Sequence, residues 1–467
     1  MGADSELVER AEGHGGDVQR PLRGDTDQAD IPQRMGKGPA LPRCRGWLLR
    51  AAHRRQAALH YRAGRPHADG EVSKLSELLE KLLDKHASSA EDIFDQLQRG
   101  FITPALSDRL REITAPITSE MMTIDEFRPR EIQYFAGHPL MLHPAGQARN
   151  LLKMARVAGG KQAVEWYRHV LATEKADVNV FAEIQGIGLE GENIEFPNGV
   201  KLIHAQHLSN SFSARQIKER QNNIYAATRS IAAIVEIHNA KATAHHPKSY
   251  KIFQDAFSKI MRTVTAFSIS PNLHPTVGIA WSEFANPDLA AADISWTWQT
   301  PLHDGQPASF PVPLDADTLD WVKKVLALKG SVAKSCDLAL SRLNLGRRRH
   351  GPGDKAIEGS ICLEALLGGG ELGDLGYKLR LRTALFLADE LAEREKIATA
   401  IKEFYRLRGK FVHGEVGQPK QEDHRTAADG LSLCLQVIRA VVNAGLTPDP
   451  KSIELSGGKV KFKHHTA

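Results

Sequence analysis

Residues 405–415 read YRLRGKFVHGE, and within them Arg408 and His413 have the types for acid–base work on a phosphate ester. An imidazole titrates near neutrality and can take a proton from a hydroxyl. A planar guanidinium carries its donors in a fork that fits two phosphate oxygens and steadies the negative charge that builds on them. That chemistry requires no metal or cofactor, and none is expected. His238, His245 and His246 have no carboxylate or cysteine at ligand spacing and read as solvated loop residues. The spacing of the pair is weak by itself. With 34 Arg and 20 His in 467 residues, Arg-x4–6-His arises about four times by chance. Cations at a helix end also complement the helix dipole, and Gly414 fits a cap.

The helix that carries the pair starts near Glu395. Ile397, Ile401 and Phe404 form one stripe, and a further step of four reaches Arg408. A guanidinium in line with an apolar face must snorkel, pair or meet an interface. The segment SICLEALL offers a partner in Glu364, seven residues after Ile357 on an apolar stripe of its own, so an Arg408–Glu364 contact would satisfy both. Five residues of ideal helix set Arg408 and His413 about 140° apart. Arg406, seven residues before His413, shares its face and is the reserve for the Arg role. A two-fold homodimer through residues 395–413 is expected, because it would bury the stripe and build the site from two chains. The RRRH turn at 347–350 reads as solvated by itself. Beside such a site, Arg347, Arg348 and Arg349, with Lys410, would form a clamp on an RNA backbone.

The order of segments around the pair is more specific than the pair. A LEALL helix, a Gly-rich turn, LGYKLRLRTALFL and FYRLRGKFVHGE follow one another. In that order they resemble the C-terminal ApeA-like branch of the HEPN family, whose members look like I-x-L-E-x-L, L-x-Y-[KR]-L-x-x-R-x-A and Y-x-x-R-[SN]-x-x-V-H-G. The resemblance spans residues 333–444, a quarter of the chain. It implies a dimerising helical bundle and a metal-independent RNA endonuclease of the antiphage-defence or toxin-like kind, answering a phage-derived or regulatory trigger. Arg408 and His413 then take the Arg and His roles, Tyr405 the motif tyrosine and Glu364 the acid of the earlier helix. Gly409 stands where the family carries a small polar residue, which keeps a second reading open: a catalytically inactive bundle for dimerisation or RNA binding. A third is a structural Arg408–Glu364 pair.

The rest of the chain divides by texture. Residues 1–70 hold eleven of the Arg but one of the 27 Lys, without apolar periodicity. They read as a disordered arm, or as upstream translation with the true start near Val72. Residues 72–300 mix helical patterns, such as VSKLSELLEKLLDKH, AEDIFDQLQRG and a pair broken at Gly159 and Gly160, with period-two runs. The latter include DVNVFAEIQGIGL, a hairpin about Pro197-Asn198-Gly199, IAAIVEIH, TVGIAWSEF and ISWTWQT. This region is expected to act as sensor or regulator. Residues 301–314 are a Pro-rich linker, 315–445 a five-helix bundle and 446–467 a loose tail, so the fold class is α+β. A net charge of +5 makes no global case for nucleic acid. No apolar run of membrane length is present. Four distant cysteines suggest reduced thiols and a cytoplasmic protein.

Overall fold

The computed structural model describes residues 67–86, 104–128, 130–191, 193–209, 211, 214–215, 217–218, 231–294, 311–370, 373–414 and 418–463. The expected helix at 90–100, the strand at 294–300 beyond its first residue, most of the 301–314 linker and nearly all of the N-terminal arm lie outside them.

Four helices, α1 (His67–Lys85), α2 (Pro104–Thr123), α3 (Pro144–Ala158) and α4 (Gly160–Leu171), pack with a hairpin, β1 (Gln133–Phe135) and β2 (His138–Leu140), around Phe127, Phe135 and Tyr167. The α3–α4 break falls at Gly159, whose φ of 93° favours glycine. At Gly160 a Cβ would collide with the carbonyl of Ser76, and the Gly160 N–H donates to Glu80 of α1.

A five-stranded antiparallel sheet follows, in the order β5 (Ile194–Glu195), β6 (Val200–His204), β7 (Ile231–Lys241), β3 (Lys175–Gln185), β8 (Thr276–Phe284). Gly199, φ 80°, turns the β5–β6 hairpin. Val180, Ala182 and Ile184 of β3 join one core, while Phe181 joins another on the opposite face with Ala232, Ile234, Ile279 and Trp281. Both faces are covered, which is why IAAIV is apolar without alternation. On the first face lies α5 (His246–Ala266), and a short α6 (Pro287–Ala292) follows β8.

β9 (Val312–Pro313) pairs in parallel with β4 (Ile187–Gly188), so the chain enters its helical part from the sheet. The helices are α7 (Ala316–Ala327), capped by Asp315, α8 (Gly330–Arg348), α9 (Pro352–Leu367), α10 (Leu375–Leu387), α11 (Leu391–Val412), α12 (Gln421–Ala444) and α13 (Pro450–Leu455). Between α7 and α8 the chain breaks at Leu328 and Lys329, ahead of Gly330, φ 64°. Helix α12 is long and apolar enough to cross a membrane by length and composition, yet it buries Leu431, Cys434, Ile438 and Val441 inside the bundle.

Two expectations need correction. Residues 446–463 are no loose tail: Ile453 is fully buried, Pro448 bridges Phe462, and Glu454 pairs with the fully buried Arg382. The sheet region and the bundle also share one apolar core, running from β3 and β7 through α5 to α7, α8, α9 and α12. Polar groups fasten the same seam. Arg262 meets Asp337 at 2.9 Å, the Asn344 amide donates to Ser268 Oγ and the Pro275 carbonyl, and Arg439 donates to the Ile269 carbonyl. The described residues belong to one compact unit.

Candidate functional site

Helix α11 takes its orientation from Phe404. That ring fills a socket whose floor is Gly359 of α9 and Gly430 of α12, where any Cβ would overlap it. Two turns on, Phe411 lies against Gly353 in the same way, so α9 and α11 run antiparallel. The buried stripe is therefore Ile397, Ile401, Phe404 and Leu407, with Phe411 packed at its end. Steps of three and four are both helical, and the packing takes the step of three after Phe404. Arg408 does not end the stripe, and burying the stripe requires no second chain.

Arg408 instead stands one turn after Tyr405, with its guanidinium carbon 5.4 Å from the tyrosine ring centroid. The Tyr405 hydroxyl donates to Glu364 Oε1 at 2.6 Å. Burial first, then the Glu364 carboxylate, push that hydroxyl's pKa well above the ordinary tyrosine value, so it stays a proton donor to the acid. Glu364 thus meets Tyr405, and the direct Arg408–Glu364 ion pair expected from the stripes is replaced by an acid–phenol–guanidinium stack. The Arg408 Nε is shielded from solvent and has no acceptor, and among the described residues its guanidinium makes no hydrogen bond or ion pair. A buried donor left unmet costs about 1–3 kcal/mol.

His413 is the C-cap of α11. Its backbone N–H donates to the Gly409 carbonyl at 3.0 Å, and its side chain is exposed. Among the described residues the ring bonds to none of Arg408, Tyr405 or Glu364. Arg406 is exposed and donates to Glu403 Oε2 at 2.7 Å. A Cβ on Gly409 would meet nothing within 4 Å, so the site has room for the small polar residue of the family pattern. Lys410 is half-buried in the last turn.

The arginines of the RRRH turn are not a free clamp. One Arg347 nitrogen donates to the carbonyls of Ser268, Ser270 and Leu273 at 2.7–3.1 Å, and burial pushes its pKa down to about 10. Arg348 Nε donates to Asn344. Arg349 pairs with the buried Glu358, which also receives Arg342. The acid of α9 that meets arginine is therefore Glu358, six residues before Glu364. A single sequence offers little to separate the two, since each lies among apolar neighbours. The arginine of the second motif, Arg382, is likewise internal, donating to the Leu367 and Gly368 carbonyls as well as to Glu454. The tyrosine of that motif, Tyr377, is exposed beneath Arg380.

Elsewhere the fold gathers a serine, a histidine and an aspartate that no local motif announces. His138 Nδ1 lies 2.8 Å from Ser282 Oγ and Nε2 2.8 Å from Asp293 Oδ2. The ring is 1% and Ser282 4% exposed, and Phe284 packs edge-on to the imidazole. An acyl-transfer triad holds the acid on Nδ1 and the nucleophile on Nε2 at an open surface. Here the order is reversed and the group is enclosed, so it fastens β2 and α6 to β8. Of the three histidines first considered, His245 caps α5 through Nδ1, His246 stacks on Tyr250, and His238 is exposed at the end of β7. Among the described residues no group of three or more His, Cys, Asp or Glu side chains could hold a metal ion. Cys336, Cys362 and Cys434 are buried free thiols.

Compared with the profiles of known protein families, with curated proteins and with solved structures, the chain matches none. The likeness to the HEPN pattern thus rests on the motif residues themselves.

Proposed function

We propose that the chain is a HEPN-type RNA endonuclease that cuts without a metal, with Arg408 holding the scissile phosphate and His413 moving the proton. One observation carries this reading: the solvent-shielded Arg408 Nε without an acceptor, on a tyrosine whose hydroxyl is held by Glu364. A phosphate brings the missing oxygens, and a guanidinium fixed by a ring is prepared to receive two of them. In the reaction His413 takes the 2′-hydroxyl proton, the 2′-oxygen attacks phosphorus, and the P–O5′ bond breaks as the leaving 5′-oxygen takes a proton from water. The products are a 2′,3′-cyclic phosphate and a 5′-hydroxyl. Arg408 and His413 diverge on one helix by about 140°, so the reading includes a homodimer in which one chain's Arg408 faces the other's His413. A role as a defence or toxin-like effector, and a cytoplasmic setting, follow from the resemblance and belong to the same proposal.

A second reading is favoured by the exposed His413 ring, which bonds to none of Arg408, Tyr405 or Glu364 among the described residues: a bundle that binds RNA through Arg408 without cutting. The two separate in one experiment. End-labelled single-stranded RNA is incubated with the full chain in EDTA, and both bound and cleaved species are measured. Cyclic-phosphate ends support the endonuclease. A retained, uncut complex supports the binding module.

A further inference from the structure

The segment YRLR that carries Tyr405 and Arg408 has a near-copy, YKLR, at 377–380 on α10. In both, the tyrosine and the arginine are neighbours across one helical turn, and the leucine between them is buried: Leu407 is 3% and Leu379 0% exposed. In both, the guanidinium lies over the ring, its carbon 5.4 Å from the Tyr405 centroid and 5.0 Å from the Tyr377 centroid. The two pairs adjoin. A Cβ on Gly376 would stand 3.2 Å from the Tyr405 ring, so Tyr377 follows directly on a contact with the ring under Arg408. Residues 388–390 join α10 to α11, and Gly376 near the start of one helix meets Tyr405 in the second half of the other, so the two run antiparallel. Helical side chains lean toward their own N-terminus. Tyr377 therefore leans toward the end of the bundle where α11 passes Arg408 and finishes at His413.

The pairs differ in how much of the ring is free. Tyr405 is half-buried against α10, and its hydroxyl is held by Glu364, so its ring serves to hold Arg408. Tyr377 is 58% exposed. The Arg380 contact favours one orientation of that exposed ring. An aromatic ring held open to solvent is the kind of surface on which an unpaired nucleobase stacks. The guanidinium beside it also draws the phosphates of the same strand.

We propose that Tyr377, held by Arg380, is the stacking platform for a nucleobase of single-stranded RNA, beside the nucleotide whose phosphate Arg408 receives. The proposal rests on the RNA-binding part of the reading above, which the endonuclease and the uncut complex share. It adds a contact to the base where Arg408 supplies one to the phosphate. Every base has a π-face, so the platform accepts any sequence. A duplex keeps its bases stacked on one another, so the platform selects unpaired strands.

The test is the affinity of the full chain, by fluorescence anisotropy at fixed ionic strength, for two end-labelled strands of equal length and charge. One is a 2′-O-methyl oligoadenylate, which cannot be cut through its 2′-oxygen, and the other is the matching abasic strand. Tyr377→Ala is expected to weaken oligoadenylate binding by about tenfold or more, with little change for the abasic strand. Tyr377→Phe keeps the ring and is expected to bind oligoadenylate like wild type. Arg408→Ala is expected to weaken both strands. Equal losses on both strands in Tyr377→Ala, or no loss on either, overturn the platform, while a loss in Arg408→Ala still supports the phosphate contact. Wild type that binds neither strand overturns the platform and the RNA reading together. Light scattering accompanies the titrations: if Tyr377→Ala loses a dimer that wild type forms, the ring belongs to an interface between two copies of the chain, which also overturns the platform. Should Tyr377→Ala fail to fold, Tyr377→Gln removes the ring, keeps a long side chain and reads the same difference between the strands.

Discussion

At the scale of single residues, Tyr405 is the hinge of the candidate site. It packs under Arg408 and holds Glu364, so Tyr405→Phe is expected to keep the ring and lose the tether. Stability should fall by about 1 kcal/mol, since one hydrogen bond goes and a carboxylate loses its donor. RNA cleavage should fall further than stability, because Arg408 loses its fixed platform. Chemical denaturation beside a cleavage assay checks this, and equal, small losses in both would make Tyr405 purely structural. The pH response follows from the raised hydroxyl pKa. A group raised on folding contributes stability that is complete below its unfolded value, about 10 for tyrosine. That contribution is lost only as pH climbs through the still higher folded value. The tether should therefore be constant across the neutral range and weaken only in strong alkali, which Tyr absorbance titration reads out. The sequence made Tyr405, Arg408 and Glu364 visible through motif order. It could not show that the acid meets the phenol, because stripes specify a face and not which polar atoms touch across it.

At the scale of elements, three glycines set how closely α9, α11 and α12 approach. Phe404 occupies the place where Gly359 and Gly430 have no side chain, and Phe411 does the same at Gly353. Gly430→Ala forces the ring to move and should destabilise by about 1–3 kcal/mol, as overpacking does. Gly409, on the same helix, meets open space. Gly409→Ser should stabilise by a few tenths of a kcal/mol, through helix propensity, and raise cleavage or leave it unchanged. Thermal melts of both variants distinguish a packing glycine from a free one, and a destabilised Gly409→Ser would contradict the placement of α11. Periodicity made most elements readable: the β5–β6 hairpin, the central strands and the break at Gly159–Gly160 were all legible. The end of the α11 stripe was not, because Leu407 and Arg408 satisfy helical steps equally well and only the Gly353 contact with Phe411 decides between them.

At the scale of the whole molecule, Arg347 shows most clearly what sequence texture conceals. It reads as part of a basic turn, yet it threads the bundle into three carbonyls beside the sheet. With a shared core on either side of that seam, sheet and bundle should unfold in a single transition. Far-ultraviolet circular dichroism and tryptophan fluorescence are expected to give coincident melts, and two separated transitions would restore the linker picture. Removal of residues 446–463 should destabilise by about 3–5 kcal/mol, because it leaves the fully buried Arg382 without its half-exposed partner Glu454. The polar composition of residues 446–463 suggested looseness, since a contact that orders them comes from Arg382, tens of positions away. Oligomeric assembly is tested by complementation. If one chain's Arg408 works with its partner's His413, mixed Arg408→Ala and His413→Ala chains should regain part of the activity that each lacks alone. Continued inactivity of the mixture would place the pair within one chain.

The most direct measurement is the single-turnover cleavage rate of single-stranded RNA in EDTA by the full chain, by Arg408→Ala and by His413→Ala, each first shown to melt like wild type. Loss of a proton-transfer group slows such a reaction by about 10²–10⁴. Wild type is expected to cut and leave 2′,3′-cyclic phosphate ends, with both variants near background. Wild-type cleavage that both substitutions leave unchanged, or no cleavage of any RNA by wild type, would contradict the endonuclease and leave YRLRGKFVHGE a helix end.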